Sequence, residues 1–544
     1  MILFRKEGSR HLKKIILLSL MIFLMTSLSA CRETIKVMTP PENSFVEEEI
    51  PVEMRALKNE KETNFTLWSW QISSPELAQE YTTLIKNSNF DGIDFCILWN
   101  DFEPEQNIFD WIYLDSILDV FIKNDMNLSL SIMFWTADLK WKDSLDFQET
   151  INGTTYIYDK KSGPSICLNS EKNLNILENT IQAFASHCNE KYKQYITRWH
   201  IRTSSYGGLE YTPITDLDYS KPAMEAFYNY LFEKYETVLQ FNLNYELNIE
   251  SWDELNSIDY LTLTDTCNYD WKMFKQQSII NIAKLSSDIF KIANDKIPVA
   301  LQVGSFWDTM AAVFRGVFDP YIISEETNVD IIHIDDAPDW PHNFSIDMIT
   351  SITNKMVAME IDGAWKGEEA FNDYLMQASI SGESGVKYLN TANWEKYQIE
   401  KYSQTYLSHY KDLFTAASPR SEAEQTEIIL VNTMDFIMKK PPLDLYQLYK
   451  NAYKVMSGSE NRKVRFLTDT QIIKNPSLLD SIEEIHLGLL DDINYMYDEL
   501  GILLANSKCR IIDDKNGQPN FLNQYQKPLD IDVQEKLRER IKEG

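Results

Sequence analysis

The sequence predicts an α/β protein in which a (β/α)8 barrel, or TIM barrel, is followed by a smaller α/β domain. Short apolar runs alternate with amphipathic helical stretches from residue 64 onward, and repeated strand–helix alternation is typical of a parallel sheet. About eight strand candidates fall within roughly 350 residues, which favours a closed barrel over an open doubly wound sheet. The chain has 544 residues, so one further domain fits after such a barrel.

The strand candidates occur in order along residues 63–418, the predicted barrel domain. Each is a short apolar run bounded by turn residues or by a helical stretch. The clearest amphipathic helices are predicted at 75–86, 111–124 and 173–188. The strands are predicted at 65–70, 92–99, 128–134, 195–201, 260–263, 299–303, 331–334, 356–361 and 385–389.

A polar stretch rich in Ser and Glu, residues 417–424, marks the end of the barrel. The second domain is predicted over 425–515 and contains neither GxGxxG nor GxxxxGKS/T, so a nucleotide site there has no support. Residues 516–544 are predicted to form a C-terminal tail. The expected elements are strands at 428–431, 464–467, 485–489 and 509–512, and helices at 444–456, 493–500 and 534–543.

Residues 1–30 have the features of a signal peptide. Basic residues precede an apolar stretch over 15–24, and a small-residue site then leads directly to Cys31. This arrangement resembles the lipobox of bacterial lipoproteins, which implies cleavage before Cys31 and a diacylglycerol on its sulfur. The protein is then expected at the bacterial cell membrane, lipid-anchored on the extracytoplasmic face, with residues 31–62 as a tether. An ordinary signal peptide is the alternative.

Composition argues against several function classes. The formal net charge is −30, and nucleic-acid binding needs a basic surface, so nucleic acid is not an expected partner. The cysteines other than Cys31 are scattered without a CxxC pair, so we expect no disulfide framework. The seven histidines show no HExxH and no other metal-ligand spacing. We therefore expect neither a catalytic metal nor a cofactor.

Residues at the carboxyl ends of the strands carry the chemistry of a (β/α)8 barrel. After the second strand the sequence reads WNDFEPEQNIFDW, from Trp99 to Trp111. This resembles W-x-x-x-E-P-x-x-G-x-Y/F-D-F/W, a motif frequent in the galactosidase-like glycoside hydrolases of clan A. Asn107 stands where that motif usually has Gly. We expect Glu103 to organise the loop and Trp99 to line a substrate cleft.

The most informative strand candidate, 356–361, reads MVAMEI and contains Glu360 close to its end. In clan A, which the sequence resembles, a Glu at the end of the seventh strand is the nucleophile, and a carboxylate there can attack an anomeric carbon. A salt-bridged Glu at the barrel rim is the alternative. After the eighth strand, Trp394 matches the Trp that clan A enzymes use as a sugar platform, with a core Trp as the alternative.

The fourth strand departs from the family pattern. In glycoside hydrolase families 42 and 35 this strand runs into N-E-Y-G, and its Glu is the general acid/base. Aligning on Tyr206-Gly207 puts Ser204 at the Asn and Ser205 at the Glu. A serine hydroxyl cannot protonate a leaving oxygen as a carboxylic acid can. Glu210 is the candidate replacement as acid/base, and a loop or subsite role is its alternative.

The resemblance to family 42 continues along the chain, although each motif is degenerate. Residues 227–235, 252–255 and 270–274 are similar to three further motifs of that family. The second domain resembles its flavodoxin-like domain, so the likeness covers residues 64–515.

Other residues at the predicted strand ends are expected to contact sugar. Trp135 follows the third strand, and Asp335 and Asp336 follow the sixth, where they are expected to accept hydrogen bonds from sugar hydroxyls. Ser204, Ser205 and Tyr206 are expected at the same mouth.

Two functions are compatible with these features. The first is a membrane-anchored, β-galactosidase-like glycoside hydrolase that cleaves oligosaccharides with retention, with Glu360 as nucleophile and Glu210 or another rim carboxylate as acid. The second is a lipoprotein that binds glycan in the same cleft without hydrolysing it, because Ser205 occupies the acid position. An oligosaccharide is the expected partner in both cases, and the oligomeric state stays open.

Overall fold

The structure is a computed structural model that describes most of the chain from residue 64 onward. The predicted signal peptide, Cys31 and the tether lie outside the described residues. Those described are 64–69, 71–204, 207–304, 314–336, 342–362, 368–392, 394–417, 425–438, 450–454, 457, 462–487, 496–513 and 521–543.

Eight parallel strands form a closed barrel, which confirms the predicted (β/α)8 fold. The strands follow one another in chain order around the barrel, and the last pairs with the first. Their carboxyl ends therefore meet at one rim, where catalytic residues of such barrels lie. The strands are β1 (Asn64–Ser69), β2 (Gly92–Leu98), β3 (Asn127–Met133), β4 (Ile196–Ile201), β5 (Val299–Val303), β6 (Ile331–Asp336), β7 (Met356–Asp362) and β8 (Tyr388–Ala392).

Helices connect the strands and cover the outer face of the barrel. The connection between β4 and β5 is the longest and contains four helices. The barrel helices are α1 (Pro75–Asn87), α2 (Trp99–Phe102), α3 (Trp111–Lys123), α4 (Glu171–Tyr192), α5 (Lys221–Tyr235), α6 (Val238–Tyr245), α7 (Tyr260–Thr266), α8 (Asn268–Ala293), α9 (Pro320–Glu326), α10 (His342–Thr353), α11 (Phe371–Glu383), α12 (Lys396–Tyr402) and α13 (Ser408–Ala416).

The strand prediction for residues 260–263 is wrong, because these residues lie in α7. The alternation of Leu and Thr there matches a strand pattern. However, the side chain of Asp259 accepts a hydrogen bond from Thr262 N at 3.0 Å, which caps a helix. Leu263 is buried in the same cluster as Trp271, on the helical layer outside the barrel. Tertiary packing has overridden the local pattern.

The second domain contains a five-stranded parallel sheet in the order β10-β9-β11-β12-β13. Counted from the first strand of the domain, this order is 2-1-3-4-5, the flavodoxin-like order. The expected flavodoxin-like arrangement is therefore present. Its elements are β9 (Gln425–Val431), α14 (Thr433–Met438), β10 (Arg462–Thr468), α15 (Asp469–Lys474), β11 (Glu484–His486), α16 (Asp498–Asn506), β12 (Arg510–Asp513), α17 (Ile531–Arg540) and β13 (Ile541–Glu543).

The last described part of the predicted C-terminal tail, residues 516–544, contributes a strand to this sheet. Its helix α17 ends at Arg540, and the last three described residues pair in parallel with β12. The charged pattern over 534–543 is compatible with a helix throughout. Its last residues form a strand instead, because β12 leaves an unpaired edge that the sequence alone does not reveal.

Two buried carboxyl groups lie where the second domain meets the barrel. Asp319 precedes α9 on the barrel and is 1% exposed, and Asp469 begins α15 and is fully buried. Burial raises the pKa of Asp319 to about 6. Burial, and next the charge of Asp319, raise the pKa of Asp469 to about 8. Thr433 satisfies Asp469 with a backbone N–H bond of 2.9 Å.

Asp469→Asn should change how stability depends on pH. In the wild type the folded protein holds the Asp469 proton up to about pH 8, whereas the unfolded chain loses it near pH 4. Stability therefore falls as pH rises through this window, by about 1.4 kcal/mol per pH unit from this one group. Urea unfolding at several pH values measures how the free energy of unfolding depends on pH. In the variant this dependence should correspond to one fewer proton than in the wild type.

The exposed Asp480 of the same domain provides the control. Asp480→Asn should leave the slope unchanged, and equal slopes in wild type and Asp469→Asn would contradict the prediction.

Candidate active site

The barrel interior contains a buried ionic network centred on Asp94 of β2. Arg202 donates to both Asp94 oxygens, from Nη1 and Nη2 at 3.0 Å each, and Arg198 donates from Nη2 at 3.2 Å. Asn390 of β8 adds a bond of 2.6 Å and His200 one of 3.1 Å. All of these residues are at most 1% exposed. One carboxylate thus joins β2, β4 and β8 inside the barrel.

The spacing of β4 explains how two arginines enter the interior. Successive side chains of a strand point to opposite faces, so Arg198 and His200 share one face, with Arg202 next in the same alternation. Trp199 between them points outward and stacks on Phe290 of α8, with ring centroids 4.9 Å apart. The apolar pattern of the sequence predicts this strand but not the network. The signal was the polar–apolar alternation R-W-H-I-R in a strand covered on both faces.

The network sets the charge of its members. Although burial opposes it, the charges of Arg202, His200 and Arg198 hold the pKa of Asp94 well below its usual value. Burial and then Arg202 lower the pKa of His200 to about 3. The histidine is therefore neutral at physiological pH and the carboxylate is ionised.

Glu360 lies where the sequence analysis placed it, near the carboxyl end of β7. It is 1% exposed, and its Oε2 is 3.8 Å from Nε2 of His333 on β6. In the sheet register its Cα pairs with Asp335 on one side and Asn390 on the other. This puts Glu360 beside the Asp94 network, since Asn390 belongs to both. Its catalytic role stays a prediction.

Glu210 is held by partners at the end of β5. Its Oε2 accepts a hydrogen bond from Gly304 N at 2.8 Å and lies 3.4 Å from Nη1 of Arg315, and the residue is 3% exposed. A Cβ on Gly304 would come within 1.4 Å of the Arg315 Nη1, so a larger residue here would displace the Arg315 guanidinium. Both contacts favour the carboxylate over the protonated acid.

The predicted tryptophans of the cleft differ in exposure. Trp99 is fully buried and donates from Nε1 to Glu103 at 2.6 Å, so its predicted role in lining a cleft is wrong. Trp394 donates to Thr391 at 2.6 Å and is 4% exposed, so it is not the open sugar platform expected. Trp135 is partly exposed just beyond β3. Aromatic residues at strand ends were indistinguishable by sequence because burial depends on the loops above them.

Trp68 of β1 is a site residue that the sequence analysis missed. It is partly exposed near the carboxyl end of its strand, and the Arg202 guanidinium lies over its ring, 5.1 Å from the centroid. The ring therefore lies directly against the ionic network. Its strand reads NFTLWS, which offered no charged residue to mark a site.

The loop after β2 has the predicted structural role. Glu103 accepts hydrogen bonds from Trp99, from Asn107 N at 2.8 Å and from Thr180 at 2.8 Å. Asn107 has φ of 63°, a left-handed conformation that glycine adopts freely and asparagine tolerates. This explains why Asn can stand where the motif usually has Gly.

The other predicted mouth residues are described only in part. Asp335 is exposed, and Ser204 is buried, with its hydroxyl donating to Gly208 O at 2.5 Å. Ser205, Tyr206 and the side chain of Asp336 lie outside the described residues.

Asp94, His200 and His333 bring potential metal-ligand atoms within 4.8 Å of one another. The donor set does not suit a cation, however. Asp94 already accepts bonds from the guanidinium groups of Arg198 and Arg202, whose charges would repel a metal ion at this buried position. We interpret the cluster as a hydrogen-bonded and stacked network.

Comparison with known proteins identifies the family. Residues 69–363, more than half of the chain, match the sequence profile of glycoside hydrolase family 42, described as beta-galactosidase. The chain belongs to this family. The matched residues include β2 to β7, with Glu360.

The curated relatives of this chain are distant. Beta-galactosidase BgaB from a Geobacillus strain is 23% identical over 255 residues, which are 44% of this chain and 34% of that protein. Beta-galactosidase Pbg from Clostridium perfringens is 24% identical over 315 residues, 53% of this chain and 41% of the relative. The chain therefore matches less than half the length of these relatives.

Solved structures show the same fold. A cold-adapted beta-galactosidase from Rahnella gives a TM-score of 0.66 at 13% identity, covering 89% of this chain and 75% of the other. An exo-carrageenase of family 42 from Bacteroides ovatus gives 0.56 at 11% identity, covering 88% and 70%. The fold of these structures thus covers both domains of this chain.

Asp94→Asn should strongly destabilise the barrel. The substitution keeps the shape of the side chain but leaves Arg198 and Arg202 buried without their counter-charge, which typically costs about 3–5 kcal/mol. Urea unfolding at neutral pH measures the loss. Asp143→Asn, at an exposed aspartate, is the control and should cost less than about 0.5 kcal/mol. Similar stabilities of the two variants would show that the network is not needed for folding.

Proposed function

We propose that this protein is a β-galactosidase-like glycoside hydrolase that cleaves oligosaccharides with retention of anomeric configuration. The observation that carries the proposal is the place of Glu360, inside the barrel near the carboxyl end of β7, in a chain of family 42. In the proposed reaction a Glu360 oxygen attacks the anomeric carbon, the bond to the leaving oxygen breaks, and a glycosyl ester forms. Water then hydrolyses the ester and regenerates the carboxylate.

The charges near Glu360 support this role. Burial lowers the pKa of the Arg202 guanidinium. The charge of Asp94 opposes this effect, and the charge of Glu360 opposes it to a smaller extent, so that the pKa of Arg202 is raised overall. Arg202 is held by its two bonds to Asp94 and therefore presents a fixed positive charge. Such a charge favours the ionised Glu360 that attack requires.

The step of the proposed reaction with the least support from nearby residues is proton donation to the leaving group. Ser205 stands at the position of the acid, and Glu210 is bound by Arg315 and Gly304 in a way that favours its ionised form. Asp335, which is exposed beside Glu360 in the sheet register, is a further carboxyl group at this mouth. We infer that hydrolysis proceeds with little acid assistance.

The contacts of Glu210 also favour a second candidate, a lipoprotein that binds glycan without cleaving it. A carboxylate fixed by a guanidinium and a backbone N–H accepts hydrogen bonds from sugar hydroxyls better than it donates a proton. The two candidates differ in one observable, which is turnover of a substrate whose leaving group needs no proton.

Aryl glycosides with acidic phenols should be cleaved far better than natural oligosaccharides. General acid catalysis is typically worth about 10²–10⁴-fold, and this sets the expected gap in kcat/KM. Glu360→Gln should abolish turnover of both substrate types, because the amide cannot attack. Glu190→Gln, an exposed residue on α4, is the matched control and should retain wild-type rates.

Variants at the fourth strand distinguish the alternatives. Ser205→Glu should raise kcat/KM on oligosaccharides and narrow the gap. If Glu210→Gln abolishes activity and the wild type shows little leaving-group dependence, Glu210 is the acid after all. A wild type that binds oligosaccharide but cleaves no aryl galactoside, glucoside, arabinoside or fucoside would establish the binding function.

We also propose that the protein is lipid-anchored outside the cytoplasm through Cys31. The support is the sequence of the basic, apolar and small-residue segments before this cysteine. Within the described residues, no helix has the length and apolarity needed to cross a membrane.

Cys31→Ala should release the protein from membranes. A diacylglyceryl group supplies two acyl chains, which suffice for stable attachment, and the variant has no thiol to carry them. Fractionation of cells followed by immunoblotting measures the distribution, with Cys188→Ala as a control, because that buried cysteine lies within the barrel domain. Equal membrane fractions for wild type and Cys31→Ala would contradict the anchor.

A further inference from the structure

His333 is a buried histidine next to Glu360 that the proposed reaction does not use. It lies on β6, is 0% exposed, and its Nε2 is 3.8 Å from Oε2 of Glu360. Within the described part of the chain, neither ring nitrogen of His333 has a hydrogen-bond partner. Because buried polar groups are nearly always hydrogen-bonded, an unpartnered imidazole next to a carboxylate needs a functional explanation.

The surroundings keep the His333 ring neutral. Its ring stacks on His200, with centroids 4.6 Å apart and planes inclined by 19°. Burial, together with the charges of His200, Arg198 and Arg202, holds the pKa of His333 well below its usual value, and Asp94 opposes this only in part. A neutral imidazole carries a single N–H, so one nitrogen can donate and the other cannot.

We propose that His333 is a positioning residue for the nucleophile: its Nε2–H holds Oε2 of Glu360 and leaves Oε1 to attack the anomeric carbon. This inference rests on the proposed function. The separation of 3.8 Å exceeds a hydrogen bond by about 1 Å, which a small rotation of the glutamate side chain covers.

A neutral donor suits both states of the nucleophile. Before attack, Nε2–H donates to the Glu360 carboxylate, and after attack it donates to the carbonyl oxygen of the glycosyl ester. A cationic histidine would instead form an ion pair that stabilises the carboxylate and opposes its conversion to a neutral ester. Arg198 and Arg202 therefore contribute by suppressing protonation of His333, in addition to binding Asp94.

Three substitutions separate the hydrogen bond from the volume of the side chain. His333→Phe keeps a ring that can stack on His200 but has no N–H. His333→Gln places an amide N–H close to the position of Nε2, and His333→Asn places it at the position of Nδ1. The control is His342→Phe on α10, where another fully buried histidine contacts Ser381 at 3.0 Å.

Two measurements report on the nucleophile itself. The first is the rate at which a dinitrophenyl deoxyfluoro-galactoside labels Glu360 covalently, followed by mass spectrometry. The second is the pH profile of kcat/KM for an activated aryl galactoside. A role in folding alone would change the thermal midpoint but not the acidic limb of this profile.

His333→Phe and His333→Asn should be labelled about ten- to a hundredfold more slowly than the wild type, as for loss of a hydrogen bond to a charged group. Their acidic limbs should move to higher pH, because a carboxylate that loses a donor has a raised pKa. His333→Gln should retain most of the labelling rate, and His342→Phe should match the wild type. The Asn and Gln pair decides the question if the Phe variant does not fold.

Equal labelling rates and acidic limbs in wild type and His333→Asn would overturn the inference, as would an equal loss in the Asn and Gln variants. Failure of the proposed function would look different. The wild type would then take no label, or the label would lie on a residue other than Glu360, and the positioning role would fall with it.

Discussion

The ion pair between Asp94 and two arginines is the constraint on which the centre of the barrel depends. Burying Arg198 and Arg202 without a counter-charge would cost several kcal/mol per ion, and Asp94 is the only carboxylate within hydrogen-bond distance of both among the described residues. Because Asp94 also accepts from Asn390, it ties the second, fourth and eighth strands together. Side chains from these three strands thus converge on one carboxylate.

The parts of the candidate site are placed by this network. Trp68 lies against the Arg202 guanidinium, and Glu360 pairs in register with Asn390. Next to Glu360, His333 stacks on His200, which is itself bonded to Asp94. The result is a charged interior in which His200 and His333 are neutral and Asp94 is ionised. Such an interior suits a reaction in which a carboxylate attacks and proton supply is a separate problem.

Proton supply depends on the carboxyl groups close to the fourth strand. Glu210 is the carboxylate nearest in sequence to Ser205, yet its contacts with Gly304 and Arg315 favour the ionised form. A site with a nucleophile but a weak acid favours substrates whose leaving groups depart without a proton, and it can also serve to bind glycans. Turnover of substrates with different leaving groups therefore distinguishes a hydrolase from a protein that only binds glycan.

The sequence alone determined the barrel, the flavodoxin-like second domain and the position of Glu360. Strand and helix periods are local properties, and the motifs around Trp99 and Glu360 are contiguous, so both can be read without tertiary information. The role of Glu103 was likewise predictable, because Trp99 and Asn107 lie within four residues of it.

Only the tertiary structure decided which polar groups meet and which aromatic residues are covered. Asp94 and Asn390 are separated by 296 positions, and their contact arises because the barrel closes. Trp99 and Trp135 both lie at strand ends, but one is enclosed by Phe134 and Trp141 and the other is partly exposed. Residues 260–263 alternate like a strand and form a helix because they pack on the outside of the barrel. Burial and long-range pairing depend on the whole fold, and a local pattern does not contain them.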